Sequence, residues 1–93
     1  EFQKRREYII GRLKDIKKMS FIIPEGAFYV FCDISKTGLD SLAFSGRLLD
    51  EELVAVIPGQ GFGRDDCVRL SFATGIEQIE KGMDRIKEWV AKL

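Results

Sequence analysis

An arginine in the middle of a strand pattern is the residue of this sequence best suited to chemistry. In Cys67-Val68-Arg69-Leu70-Ser71-Phe72-Ala73, the apolar Val68, Leu70 and Phe72 alternate with Arg69 and Ser71, so the two sets point to opposite faces. A guanidinium flanked in sequence by Val68 and Leu70 is partly desolvated and always charged. It needs a carboxylate or phosphate partner, and its planar fork suits a carboxylate well. Two roles are open at this point: a ligand-binding group, or a structural arginine that is paired internally, with Asp33 as a candidate, or lies at the surface. Spacing alone favours the structural role.

The other chemically suggestive residues are weaker. Pro58-Gly59-Gln60-Gly61-Phe62-Gly63 has the look of a phosphate loop, but it lacks the Lys-Ser/Thr pair, and a strand rather than a helix follows it. It reads as a glycine-rich turn. Asp65 and Asp66 read as solubilising residues at a loop tip rather than a metal pair, and no metal site is expected. Trp89 and the aromatics of the Ala27–Ile34 run read as core. The sequence has no histidine, which removes Ser-His and Cys-His nucleophile pairs and histidine metal sites. Its two cysteines, Cys32 and Cys67, are too few for a zinc cluster. They read as buried, reduced thiols, in keeping with a cytoplasmic setting.

These residues must be positioned by six elements. Phe2, Ile9, Leu13 and Ile16 form one apolar stripe of an opening helix. Ala27 to Ile34, aromatic and β-branched, predicts a strand covered on both faces. Asp40 or Ser41 caps a second helix whose Leu42, Ser45, Leu48 and Leu49 share a face. Leu53 to Ile57 predicts a short second strand, halted at Pro58-Gly59. The Arg69 strand comes third. Thr74-Gly75-Ile76-Glu77 then has capping-box spacing, ahead of a closing helix with Ile76, Ile79, Met83, Ile86, Val90 and Leu93 on one side. The order helix-strand-helix-strand-strand-helix predicts a small α+β sandwich, in which a three-stranded, largely antiparallel sheet carries helices on one face.

Composition agrees with a single globular domain spanning 1–93. Of the 93 residues, 45% are hydrophobic and 32% charged, and no apolar run approaches the about 20 residues that span a bilayer. Basic and acidic residues number 15 each, so no overall field attracts nucleic acid or anionic membrane. The first 18 residues hold seven basic and three acidic side chains, which reads as a solvated helix face. The chain opens without a methionine, its helical pattern already running and uncapped, so it reads as part of a longer polypeptide.

Taken in order, the segments resemble the class I/II aminotransferases that use pyridoxal phosphate. Pro24-Glu25-Gly26-Ala27-Phe28-Tyr29-Val30-Phe31 resembles their "P-x-G-A-F-Y" strand. The run from Leu48-Leu49-Asp50-Glu51 through Val54-Ala55-Val56-Ile57-Pro58-Gly59 is similar to their "LL-x-E…V-x-V-x-P-G" segment. Phe62-Gly63 matches the "F-G" that follows, and Val68 to Ala73 matches their "R-L-S-F-A" strand. Arg5-Arg6 with Leu13 resembles the "R-R-D…L" helix, with Glu7 in place of the aspartate.

The resemblance implies the C-terminal small domain of such an enzyme, aspartate or aromatic aminotransferase-like. Arg69 would bind the substrate α-carboxylate, which reverses the choice that spacing favours, and Phe28 would line the same site. Pyridoxal 5'-phosphate, its lysine and the catalytic groups would belong to a large domain outside this chain, since nothing here matches the family's Ser-x-x-Lys segment. This stretch alone would then be inactive. The full enzyme would exchange an amino group between an amino acid and a 2-oxo acid, as a homodimer. Two alternatives stay open: another pyridoxal-phosphate enzyme of the same fold, such as a carbon–sulfur lyase or synthase, and a free-standing module that binds carboxylates through Arg69.

Overall fold

The computed structural model describes residues 2–22, 28–72 and 74–93, and the side chain of Phe2 is outside that description. The expected contribution of Phe2 to the first stripe, the Pro24 to Ala27 part of the first strand, and Ala73 therefore lie outside the described residues.

Three helices and four strands alternate as α1 (Phe2–Lys14), β1 (Ser20–Ile22), β2 (Tyr29–Asp33), α2 (Ser41–Glu52), β3 (Ile57–Pro58), β4 (Cys67–Ser71) and α3 (Ile76–Ala91). The strands form one antiparallel sheet in the order β1-β2-β4-β3. The class is α+β as expected, with four strands rather than three. The extra strand, β1, is a three-residue edge strand pairing with β2 alone. So short an edge element carries little alternation of its own, and its partner is what makes it a strand.

Alternation divides β4 as the sequence predicts, whereas β2, expected to be covered on both faces, is covered on one and leaves Tyr29, Phe31 and Asp33 partly exposed on the other. Val30 and Cys32 of β2 join Val68 and Leu70 of β4 in the core, together with Ile9 and Leu13 of α1, Phe44 and Leu48 of α2, and Ile79, Met83, Ile86 and Val90 of α3. Helices thus cover one face. Trp89 is buried among them, its ring edge-on to Phe44 at 5.1 Å, while its Nε1–H donates to Glu51 at 3.0 Å.

Three local readings are corrected. The face that α2 buries is Ser41, Phe44 and Leu48, whereas Leu42 and Leu49 are about half exposed. Phe44 takes the inner position because Trp89 receives it. Ser41 is held there by polar bonds: its hydroxyl donates to the Asp65 carboxylate at 2.8 Å and accepts from the Gln60 amide at 3.0 Å. The expected strand from Leu53 to Ile57 shrinks to Ile57–Pro58. Leu53 ends α2 in the left-handed conformation (φ 58°), its amide donating to the Leu49 carbonyl at 3.0 Å, and this turn directs 54–56 away from strand pairing. The capping box does not form. Gly75, not Thr74, caps α3, so Glu77 falls at the second helical position rather than the third, and no side-chain cap is made. Asp40 does cap α2, accepting from the Ala43 amide at 2.8 Å.

Candidate functional site

Arg69 sits at the centre of β4, on the face turned away from the helices. Cross-strand register places Phe31 opposite it on β2 and Ile57 opposite it on β3, while Ile22 of β1 pairs in turn with Phe31. One row, Ile22-Phe31-Arg69-Ile57, therefore crosses all four strands on the outer face. The next rung holds Tyr29 and Ser71, and the rung on the other side holds Ser20, Asp33 and Cys67.

The half-buried guanidinium is framed by rings. Its carbon lies 4.8 Å from the centre of the Tyr29 ring and 5.3 Å from that of Phe62. Phe31 stands edge-on to both rings, with centroids 5.3 Å from Tyr29 and 6.2 Å from Phe62. Among the described residues no carboxylate lies within ion-pair distance of Arg69. The Asp33 alternative fails because that carboxylate is one rung away and already engaged. It accepts from the Ser35 amide at 2.9 Å and the Ser35 hydroxyl at 2.6 Å, in an Asx turn that ends the strand.

Phe62 reaches Arg69 from a 3₁₀ turn, Gly59–Phe62, that follows β3. Gly59 is buried so tightly that a Cβ would stand 2.2 Å from the Arg64 carbonyl oxygen and 2.5 Å from that of Cys67. Gly63 closes the turn at φ 80°. Close packing thus explains Gly59 and backbone conformation explains Gly63, in agreement with a turn rather than a phosphate loop.

Asp65 and Asp66 are not mere loop-tip solubilisers. Asp65 anchors Ser41 with both its backbone carbonyl and its side chain. Asp66 accepts from the Arg64 side chain at 3.0 Å, a bond that holds its carboxyl below the usual range and raises the arginine. Among the described residues no three candidate ligands gather as a metal site. Both cysteines are free and buried. Burial, with Cys67 nearby, pushes the Cys32 thiol up to about 12, and burial also raises that of Cys67.

Arg69 therefore lies where alternation predicts, while Phe28 precedes β2 and is half exposed, its carbonyl accepting the Phe72 amide at 2.9 Å. The reading of the first-strand aromatics as core is corrected: Tyr29 and Phe31 are half-buried on the outer face. They share the parity of the outward Asp33, which was the signal in the sequence. Phe62, arriving from a turn, offered no such period. Beyond the rings, Phe31 and Phe62 also line a cleft of about 410 Å³ with Phe21, Ile22, Asp33 and Arg64.

The sequence profile described as "Aminotransferase class I and II" matches residues 1–86. The chain belongs to the class I and II aminotransferase family. It is 43% identical over 90 residues to the aspartate aminotransferase of Pyrococcus horikoshii, covering 95% of this chain and 23% of that protein. It is 39% identical over 90 residues to the aromatic-amino-acid aminotransferase 2 of Thermococcus litoralis, again covering 95% and 23%. The crystal structure of aspartate aminotransferase from Thermotoga maritima superposes with a TM-score of 0.88 at 40% identity, over 97% of this chain and 23% of that one. The chain thus spans under a quarter of the length of these family members.

Family membership implies pyridoxal phosphate, which such enzymes hold as an imine on a lysine. The described face does not fit that group: lysines 4, 14, 17, 18, 36, 81, 87 and 92 all lie outside β1 to β4. What this face offers is the guanidinium of Arg69, framed by rings.

Proposed function

We propose that this chain is the C-terminal small domain of a pyridoxal-phosphate-dependent aminotransferase, in which Arg69 binds the α-carboxylate of the amino-acid or 2-oxo-acid substrate. The observation that carries this reading is the guanidinium itself, turned away from the core and without an acidic partner among the described residues. The exposed Ile22, Ile57 and Phe62 around it support a face that closes over a cleft completed by the rest of the enzyme. Phe28, exposed ahead of β2, lines the same cleft. The cofactor and the groups that move the α-proton belong to the larger part of the polypeptide, and the working enzyme is a cytoplasmic homodimer.

The role of Arg69 is orientation. Two parallel N–H···O bonds fix the carboxylate plane and thereby the direction of the bonds at Cα. A charge-assisted hydrogen bond contributes about 1.5–3 kcal/mol, and lysine cannot reproduce the two-pronged geometry. In the complete enzyme, Arg69→Lys is expected to lower kcat/KM for amino acids by about tenfold or more. Steady-state kinetics test this, and an unchanged value removes Arg69 from the site.

A further inference from the structure

The rings around Arg69 belong to two separate segments, and both approach the same guanidinium. We propose that Tyr29 and Phe62 are positioning residues that hold Arg69 ready for a carboxylate while leaving its N–H groups unspent. The proposal rests on the reading of Arg69 as the carboxylate-binding group and adds how that group is prepared.

An arginine on the outer face of a strand has a long, freely rotating stem, and fixing it costs conformational entropy when a ligand arrives. A neighbouring acid would remove that freedom, but it would also occupy the N–H fork and compete with the incoming carboxylate. An aromatic ring attracts the cation through its quadrupole without supplying carboxylate oxygens. The structure has the second arrangement. Tyr29 lies 4.8 Å and Phe62 5.3 Å from the guanidinium carbon, and among the described residues no acid pairs with it. Phe31, the cross-strand partner of Arg69, stands edge-on to both rings.

The glycine-rich turn then acquires a purpose. Pro58 pairs with Val68 beside Arg69, Gly59 presses against the Arg64 and Cys67 backbone, and Gly63 reverses the chain at positive φ. The Gln60 amide is tied to the Ser41 hydroxyl at 3.0 Å. Together these fix a short turn whose aromatic residue, half exposed and outside the core, is delivered to the guanidinium.

The test uses the complete holoenzyme with Phe62→Leu, Phe62→Tyr and Tyr29→Leu, each alone and combined with Arg69→Lys. Phe62→Leu and Tyr29→Leu are each expected to raise KM for amino acids, and Ki for a simple monocarboxylate such as acetate, by about three- to tenfold. The change in kcat should stay within about twofold, and Phe62→Tyr should restore the parent KM. In the Arg69→Lys background the leucine substitutions should add less than about twofold, because the group they position is gone. Unchanged KM, or an equal loss in both backgrounds, overturns the proposal. If Phe62→Leu does not fold, the Tyr29→Leu pair of measurements decides it. Failure of Arg69→Lys to affect kcat/KM would instead refute the carboxylate reading beneath it.

Discussion

The two faces of one short sheet are built on opposite terms. Along β2 and β4 the inward residues Val30, Cys32, Val68 and Leu70 are at most 7% exposed, and all three helices meet them. Next to them in sequence, Tyr29, Phe31 and Arg69 are only half-buried, and Ile22 at the edge is 69% exposed. The same ladder of hydrogen bonds carries both sets. The inner side chains are chosen for volume, and their removal leaves a void. The outer side chains surround a cation that meets rings and no acid among the described residues. Burial and partial exposure are thereby separated by a single step along the strand.

That separation can be tested from either side. The largest effect is expected inside: Phe44→Ala, which deletes a fully buried ring stacked edge-on against Trp89, should cost about 3–5 kcal/mol in chemical denaturation of this chain. A loss below about 1 kcal/mol would mean that the helices do not bear on the sheet as described. A smaller effect is expected from Cys32. Its thiol is raised from 9.0 to about 12 by burial, so the folded state favours the protonated form. The stability it contributes is complete below pH about 9 and falls as pH rises through about 12, by at most about 1.4 kcal/mol per pH unit. Unfolding midpoints measured across that range should therefore drop more steeply for the parent chain than for Cys32→Ala, and parallel curves would contradict this. The smallest effect is expected outside. Ile57→Thr, next to Arg69 on a face without a helix, should alter the stability of this chain by less than about 0.5 kcal/mol. A larger loss would show that the outer face is part of the core.

Much of this was legible in the residues. The alternation of Val68, Leu70 and Phe72 against Arg69 placed the arginine away from the core, and the three- and four-residue steps from Ile79 to Val90 gave α3 its buried side. Asp40 or Ser41 was legible as the start of α2, and Asp40 is the residue that caps it. The misreadings share a cause. Leu42 and Leu49 matched a helical stripe as well as Phe44 did, and what decided between them was Trp89, 45 residues beyond Phe44 in the sequence. Leu53 to Ile57 had strand composition, but the left-handed turn at Leu53 left only two residues to pair. Thr74 had the spacing of a cap, and the helix began one residue later.

The sequence by itself determined which side of β4 and of α3 would be apolar, and that Arg69 would stand opposite the core. Those properties follow from periods of two and 3.6 residues, which act over a few neighbours. Only the tertiary structure decided what surrounds that cation. Tyr29, Phe62 and Arg69 come from three segments, and their meeting depends on cross-strand register and on a turn packed backbone against backbone. No local pattern encodes such distances, because they are set when the chain closes on itself.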